Sequence, residues 1–378
     1  MPKLLKAILK ATLFWSVVLF IITLLPFWKT DLWWVRIWDF PRLQILIVGV
    51  LLIAVNLTFL RPATKASLSA LVACLFCVLY QGYKILPYTP LYEVTVQSTE
   101  RKDSQRNIRV LAANVLMEND RFADLEKLCR LIDPDVILLT EPAAEWMERL
   151  KSLRKSYPYE IAHPSDNTYG IALLSRFELI EPEIRFLLED DIPSVHTKVR
   201  LPSSEVIKLY GLHPRPPAPQ ESDSTAQRDA EILIVAKEIY NLPMPIVVVG
   251  DLNDVAWSGT TELFLEMSQL LDPRTGRGMY NTFHADIPFL RFPLDHLFHS
   301  SHFRLAQMRV LPSIGSDHFP ILVNLSLEES AKQSQPTSTP GPDKVEEVEE
   351  EIEDGAVEER EEEKEEETTE SEPDSSDR

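Results

Sequence analysis

Three long stretches without a charged residue constrain this chain more than any other feature. Each stretch is 18 residues long, and together they cover residues 11–28, 43–60 and 66–83. A helix needs about 20 apolar residues to cross a bilayer, and a soluble core helix rarely continues so far without a charge. We therefore predict a three-helix transmembrane anchor over residues 1–87.

The flanking residues favour one orientation of this anchor. Lys3, Lys6 and Lys10 precede the first stretch, which favours a cytoplasmic N-terminus and places the chain beyond Lys84 outside. The loop after the first stretch also carries three basic residues, which weakens this argument. The first stretch alone would also fit a signal peptide, but two more spans follow it and no small-residue cleavage site is evident.

The distribution of charged residues divides the chain into three regions of different composition. Residues 1–90 contain nine basic and two acidic residues, residues 91–328 contain 24 and 35, and residues 329–378 contain five and 21. Residues 88–106 mix proline, polar and charged residues and are predicted to be a linker. Residues 328–378 are rich in glutamate and contain no aromatic residue, so we predict a disordered acidic tail. Residues 107–327 remain as the soluble domain.

The sequence IVVVGDLND, residues 246–254, is the centre of the soluble domain. Four β-branched residues predict a buried strand, and Asp251, Asn253 and Asp254 follow directly after Gly250. Polar groups at the edge of a core must be hydrogen-bonded, paired or bound to a metal. A turn leading into a helix cap explains the motif equally well when it is considered alone.

Other buried strands of the domain end in the same way. We predict about ten strands and about four helices, which favours two packed sheets with helices outside. Polar residues of catalytic type stand at the ends of four strands or in two Asp-His pairs: Asn114, Glu141, His213, Asp251 with Asn253, Asp295-His296 and Asp317-His318. Each residue alone could be a turn or cap residue, but together at one sheet edge they are typical of a hard-cation site.

The types of the candidate ligands indicate which metal the site would bind and which reaction it would support. Carboxylate and amide oxygens suit Mg²⁺ or Mn²⁺, and the domain offers no cysteine cluster for a thiolate site. Zinc is an alternative at His296, His299 and His302, although residues three apart on a strand point to opposite faces. A divalent metal beside aspartate and histidine suits hydrolysis of a phosphate ester.

These residues, in this order, resemble the endonuclease/exonuclease/phosphatase superfamily, which includes deoxyribonuclease I, abasic-site exonucleases and neutral sphingomyelinases. The resemblance covers residues 107–327, and GDLN (250–253) and SDH (316–318) are its most specific motifs. It implies a four-layer α/β/β/α sandwich. The membrane-anchored arrangement is similar to that of bacterial members, which implies a multi-pass protein of the bacterial inner membrane. The orientation favoured by the basic flank would place the catalytic domain in the periplasm.

The resemblance also implies a metal site. Glu141 would ligate Mg²⁺ or Mn²⁺ with Asn114 beside it, and Asp317 would assist the metal or its water shell. Many nucleases of the family carry an acidic residue two positions after the first asparagine, where this chain has Leu116. This departure weakens the expectation of a second metal.

The remaining roles implied by the resemblance concern the reacting phosphate. Asp251 would position or deprotonate the attacking water, and Asn253 would bind a phosphate oxygen. His213 would contact the phosphate. Asp295 would orient His318, which would stabilise the transition state.

Two substrate classes and two other functions remain open at this point. A nucleic acid would call for a basic surface, whereas the domain carries more acidic than basic residues, which favours a phospholipid headgroup or a small phosphate ester. A catalytically silent membrane-bound binding module is the main alternative, and the complete set of polar residues argues against it. A transporter accessory has only the three apolar stretches in its favour.

Overall fold

The computed structural model describes residues 3–60, 64–100, 104–217, 222–335, 337 and 339–371. These residues form two compact units. The first comprises Met1–Val94 with Arg274–Met279, and the second comprises Thr95–Pro273 with Tyr280–Arg378.

The first unit is helical, with helices at α1 (Lys3–Leu24), α2 (Trp33–Arg36), α3 (Arg42–Val55) and α4 (Lys65–Ile85). Three segments are long and apolar enough to cross a membrane, namely Lys6–Phe27, Arg42–Phe59 and Lys65–Tyr88. They meet in a small apolar cluster that contains Leu19, Ile45 and Cys74. The buried Arg42 pairs with Asp39 and donates to Gln81 Oε1 at 3.0 Å, which satisfies its charge. The three predicted apolar helices are thus present.

The second unit contains eleven strands: β1 (Asn107–Asn114), β2 (Val136–Thr140), β3 (Tyr159–His163), β4 (Ile171–Ser175), β5 (Leu179–Phe186), β6 (Pro193–Arg200), β7 (Val206–Leu212), β8 (Ile246–Asp251), β9 (Asp295–His299), β10 (Phe303–Val310) and β11 (Ile321–Leu327). Six of them form one sheet in the order β10-β11-β1-β2-β4-β3, and five form a second sheet in the order β5-β6-β7-β8-β9. In each sheet one pair is parallel, β1 with β2 and β7 with β8.

Alternate residues of the central strands pack into different layers. Val110 of β1 and Val249 of β8 belong to the core between the two sheets. Leu111 of β1 faces the opposite way, into a cluster with Leu125 and Trp146. This period of two is what a strand with both faces buried requires.

Helices cover both outer faces: α5 (Phe122–Ile132) and α6 (Ala144–Arg149) on the first sheet, and α7 (Ala226–Ile239) and α8 (Gly259–Ser268) on the second. A short helix α9 (Ala331–Ser334) follows the last strand. The result is the predicted four-layer α/β/β/α sandwich. Strand β3 was not predicted, because it lies at a sheet edge and its partly exposed residues show no clear alternation.

The prediction of a disordered acidic tail is wrong for most of its length. Helix α10 (Pro342–Ser371) occupies this region and packs on α7. Val345, Val348 and Ile352 recur on one helix face, and Val348 is fully buried among the residues of α7 and α8. Glutamate and lysine favour formation of the helix. Three apolar residues at helical spacing give it a face that packs on the domain. The high charge concealed this stripe in the sequence.

We expect the substitution Val348→Asp to detach α10 from α7. Burying a valine side chain contributes about 1.5–3 kcal/mol, and a buried carboxylate would add a further penalty. Hydrogen exchange of α10 should then accelerate strongly. The matched substitution Val357→Asp, at a position 40% exposed on the same helix, should leave exchange unchanged. Equal exchange in both variants would contradict the observed packing.

Candidate active site

The carboxyl ends of two parallel strands bring the first pair of site residues together. Asn114 is the last residue of β1, and Glu141 directly follows β2. The Asn114 amide donates from Nδ2 to Glu141 Oε1 at 2.6 Å. Glu141 adopts a φ of 61°, a left-handed conformation that is uncommon for a residue other than glycine and often accompanies functional sites.

The parallel pair of the facing sheet supplies the second pair. His213 follows β7 and Asp251 ends β8. Strand β8 must pass β7 closely here, since a Cβ on Gly250 would lie 1.9 Å from the Leu212 carbonyl oxygen. Only glycine fits at this position, which explains the Gly-Asp order of the motif.

Asn114 links the two sheets. Its Nδ2 atom also donates to Asp251 Oδ2 at 3.1 Å, and its Oδ1 atom accepts from the Leu116 backbone amide at 2.9 Å. His213 lies on the same edge, with Nε2 3.9 Å from Glu141 Oε1. Asn114 is therefore a donor to both carboxylates in this orientation, where the sequence had suggested a place beside the metal.

A buried chain of three side chains forms the other half of the site. Asp251 pairs with Asp295 across the antiparallel β8–β9 ladder, and His318 enters from the loop before β11. His318 Nδ1 lies 2.8 Å from Asp295 Oδ2, and its Nε2 lies 3.5 Å from Asp251 Oδ2. The imidazole therefore lies between two carboxylates, and all three side chains are buried.

Asn253 fixes the end of the GDLN motif. Its backbone amide donates to Asp251 Oδ1 at 3.0 Å, and its side chain donates from Nδ2 to the Pro214 carbonyl at 3.0 Å. Like Glu141, it has a positive φ, here 50°. Asn253 therefore orients the Asp251 carboxylate and also holds the loop that leaves β7.

Burial and charge shift the protonation equilibria on the side of Glu141. Burial raises the pKa of Glu141 to about 7, and the neighbouring Asp251 and Asp317 charges act in the same direction against the Asn114 hydrogen bond. Burial lowers the pKa of His213 to about 4, so this imidazole is neutral at pH 7. Its Nδ1 atom is buried and has no hydrogen-bond partner among the residues that the structure describes.

His318 is shifted in the opposite direction. Burial disfavours its charged form, but the charges of Asp251 and Asp295 outweigh burial and raise the pKa of His318 to about 10. Burial opposes ionisation of Asp251 too, yet the adjacent His318 charge keeps the pKa of Asp251 below its usual value. At neutral pH the site therefore holds an imidazolium between carboxylates.

The donor set fits a divalent cation. Ligand atoms of Asp251, Asp295 and His318 lie within 4.8 Å of one another, so these residues could hold a metal ion. A protonated His318 offers no lone pair to a metal, which makes oxygen donors the better ligands. The carboxylates of Glu141 and Asp251 repel each other across Asn114, and a bound cation would relieve this repulsion.

The third predicted metal residue, Asp317, stands slightly apart. Its Oδ1 atom accepts from Ser316 Oγ at 3.3 Å, and its charge influences the pKa of both Glu141 and His318. Within the described part of the chain, neither Glu141 nor Asn114 hydrogen-bonds Asp317. It is close enough to act through its charge.

The histidines considered for zinc do not converge. His296 Nε2 lies 2.9 Å from the Asp254 carbonyl oxygen, and His299 Nδ1 lies 2.9 Å from the Ser300 carbonyl oxygen. His302 instead contacts Ser300 Oγ from beyond the far end of β9. The three imidazoles make separate local contacts.

Several residues that the sequence had not singled out support the site. The ring of Tyr169 lies 6.0 Å from that of His213, and the ring of Phe283 lies 4.9 Å from that of His318. Thr282 Oγ1 accepts from the Asp295 backbone amide at 3.2 Å. These residues lie in irregular loops, which carry no periodic signal that would reveal them.

Arg228 is a further supporting residue, and it lies on α7. Its Nη1 atom donates to the Asn253 carbonyl at 2.9 Å, while Asp229 pairs with its guanidinium at 2.6 Å. The burial of this arginine depends on tertiary packing and is not visible in the sequence.

The sequence of the domain matches one known protein family. The sequence profile of the Endonuclease/Exonuclease/phosphatase family matches residues 111–318. No curated protein sequence matches the chain. An endonuclease/exonuclease/phosphatase from Bacteroides vulgatus is 17% identical with a TM-score of 0.49, over 59% of this chain and 99% of that chain.

Two other solved structures have comparable similarity. The human Nocturnin catalytic domain with bound sulfate anion is 17% identical with a TM-score of 0.48, over 59% of this chain and 95% of that chain. D. rerio TDP2 complexed with single strand DNA product is 18% identical with a TM-score of 0.47, over 58% of this chain and 99% of that chain.

The profile match decides the family. It covers more than half of the chain and includes every site residue from Asn114 to His318. The chain therefore belongs to the Endonuclease/Exonuclease/phosphatase family, whose members are phosphoester-cleaving hydrolases.

Proposed function

We propose that this protein is a membrane-anchored, Mg²⁺- or Mn²⁺-dependent phosphoesterase that hydrolyses a phosphodiester or phosphomonoester. The observation that carries the proposal is the buried Asp251–His318–Asp295 chain, which faces Glu141 and Asn114 at one edge of the sandwich. A proton-carrying imidazole, an ionised carboxylate and a set of oxygen donors are what hydrolysis of a phosphate ester requires.

Asp251 is assigned to the attacking water. Three groups orient its carboxylate, namely the Asn114 side chain, the Asn253 backbone amide and His318. The low pKa keeps the carboxylate ionised at neutral pH, so it accepts a hydrogen bond from the water and then its proton.

His318 is assigned to the developing negative charge on the phosphoryl group. Asp295 fixes the ring through Nδ1, which leaves the Nε2–H bond directed into the site. A preorganised donor of this kind commonly contributes a factor of about 10²–10³ to the rate. Its raised pKa keeps the donor proton in place across the physiological range.

Glu141 and Asp251, supported by the nearby charge of Asp317, would hold the divalent cation. The bound cation would withdraw charge from the phosphate oxygens. Neutral His213 has an Nδ1 atom that no described residue binds and that could bind a phosphate oxygen. Asn253 would bind another phosphate oxygen after exchanging its contact with the Pro214 carbonyl.

We further propose that the substrate is a phospholipid headgroup or a small phosphate ester. The excess of acidic residues in the domain and in α10 repels a polyanion such as DNA or RNA. Apolar helices that hold the domain at a bilayer would raise its encounter rate with lipid phosphates.

The proposal is tested with the full-length chain in detergent micelles. Bis-p-nitrophenyl phosphate, p-nitrophenyl phosphate, plasmid DNA and sphingomyelin are each incubated with Mg²⁺, Mn²⁺ or EDTA. We expect metal-dependent cleavage of at least one substrate, with plasmid DNA cleaved least efficiently. A folded protein that cleaves none of them with either metal would contradict the hydrolase and favour the binding-module alternative.

The inferred location is the bacterial inner membrane, with the domain on the periplasmic side. Lys3, Lys6 and Lys10 before the first apolar helix favour this orientation. A protease added to intact spheroplasts should digest the domain from outside. Protection of the domain until the membrane is dissolved would reverse the orientation.

A further inference from the structure

Arg215 lies on the loop that leaves the active-site edge. It follows His213 and Pro214, and the Pro214 carbonyl that precedes it is bound by Asn253 Nδ2 at 3.0 Å. Arg215 also interacts electrostatically with Tyr169, whose ring lies 6.0 Å from that of His213. Arg215 is therefore two residues from His213 and directly follows the carbonyl that Asn253 binds.

Two carboxylates bind Arg215. Glu189 forms an ion pair with it, and Glu362 of α10 lies with Oε2 3.2 Å from its Nη1. The Glu189 side chain is only 2% exposed and is a fixed partner, whereas that of Glu362 is 39% exposed. A guanidinium fork binds phosphate oxygens in the same geometry as carboxylate oxygens.

Negative charge is in excess around this one cation. Burial raises the pKa of Glu189 to about 8, although Arg215 opposes the shift, and the charges of Glu359, Asp191 and Glu362 add to it. Of the two carboxylates on Arg215, that of Glu362 is the more exposed. A partly exposed carboxylate is the partner that another anion can replace most easily.

Packing of α10 sets the position of Glu362. A Cβ on Gly355 would lie 2.4 Å from the Ala230 side chain, so the two helices approach closely only because this residue is glycine. Beyond Gly355 on α10, Glu359 and Glu362 both accept from Gln227 Nε2 of α7, at 2.8 Å and 3.0 Å. The acidic group at Arg215 is therefore held by the fold.

We propose that Arg215 selects small phosphate esters that carry a second anionic group, and that Glu362 occupies its place until such a substrate binds. The inference rests on the proposed function, since the second anionic group is the one beside the phosphate that the proposed site hydrolyses. Helix α10 then acts as an internal competitor. Substrates with a single phosphate do not need to displace it.

The test measures anion binding to the full-length chain in detergent micelles with excess Mg²⁺. Inorganic pyrophosphate is the probe with two phosphate groups, inorganic phosphate is the probe with one, and calorimetry gives both dissociation constants. Glu362→Gln should tighten pyrophosphate binding about tenfold, because it removes the competing charge. Glu361→Gln removes the same charge from an exposed position and should have no effect on either probe.

A second variant locates the effect at Arg215. Arg215→Lys keeps the positive charge at this position but loses the planar fork, so it should weaken pyrophosphate binding several-fold. In the double variant, Glu362→Gln should bring little further gain. Equal pyrophosphate affinity of the Glu362→Gln and Glu361→Gln variants, or an undiminished gain in the double variant, would overturn the proposal.

Binding and turnover separate this inference from the hydrolase itself. Hydrolysis of the assay substrates combined with no effect of Glu362→Gln on pyrophosphate binding would leave the hydrolase intact and remove the role of α10. A gain in pyrophosphate binding without hydrolysis of any substrate would leave the anion site and contradict the hydrolase.

Discussion

Replacing Asp251 with asparagine should reduce kcat by a factor of about 10³–10⁴ with little change in folding. The substitution preserves the shape of the side chain but removes the proton acceptor. It also removes one of the two carboxylates that face each other across Asn114. The expected loss exceeds that of a single hydrogen bond because, in the proposed mechanism, one residue supplies both the base and a metal ligand.

The measurement is kcat on the best substrate in saturating Mg²⁺, with thermal unfolding as a check of the fold. Asp133→Asn is the matched control, since Asp133 precedes β2 at the opposite end from Glu141 and is 60% exposed. It should retain full activity, because an exposed ion pair contributes little. Activity of the Asp251→Asn variant within tenfold of the unmodified protein would exclude Asp251 as the base.

Replacing His318 with alanine should reduce kcat by a factor of about 10²–10³, through loss of the donor to the phosphoryl oxygens. Asp295→Asn should cost less, because the imidazole remains but loses its partner at Nδ1. The two effects should not add in the double variant, since Asp295 acts only through His318. His302→Ala, at the far end of β9, is the control and should retain activity.

The assignment of His318 also predicts how kcat depends on pH. The pKa of His318 is raised to about 10, so the active imidazolium persists at neutral pH and is lost as the pH rises through that value. Asp295→Asn removes one of the charges that raise it, so the alkaline limb of kcat should move to lower pH. A limb that stays in place would mean that a different group carries the proton.

The sequence was most informative where strands are buried on both faces. The β-branched run of β8 and the apolar run of β2 each predict a buried strand. The polar residues that follow these strands were therefore expected at the edge of a sheet. Two parallel pairs then bring Asn114, Glu141, His213 and Asp251 to the same edge. Strand direction explains each pair of residues, and the packing of the two sheets brings the pairs together.

Other features depend on tertiary contacts that no local pattern encodes. Helix α10 was missed because its acidic composition is typical of disorder, while its docking depends on three apolar side chains and one glycine. The amide orientation of Asn114 depends on the Leu116 backbone amide, which only the folded loop brings within reach. Arg215 was unremarkable until the fold placed Glu189 and Glu362 on it.

The acidity of the chain also has a different meaning in the folded protein. In the sequence, the glutamates of the last fifty residues look like a solvated tail. In the structure, Glu358, Glu359 and Glu362 make contacts with Ser224, Gln227 and Arg215. These α10 glutamates thus lie beside Arg215, on the loop that follows His213, and they contribute to the negative charge that we expect to disfavour a nucleic acid.

One measurement tests the central claim most directly. Full-length protein treated with EDTA is assayed on bis-p-nitrophenyl phosphate while Mg²⁺ is added back, in parallel with an Asp251→Asn preparation. Our account predicts that hydrolysis returns with Mg²⁺ in the unmodified protein and stays near background in the variant. Equal rates in the two preparations, or hydrolysis that persists in EDTA, would contradict a metal-dependent site built on Asp251.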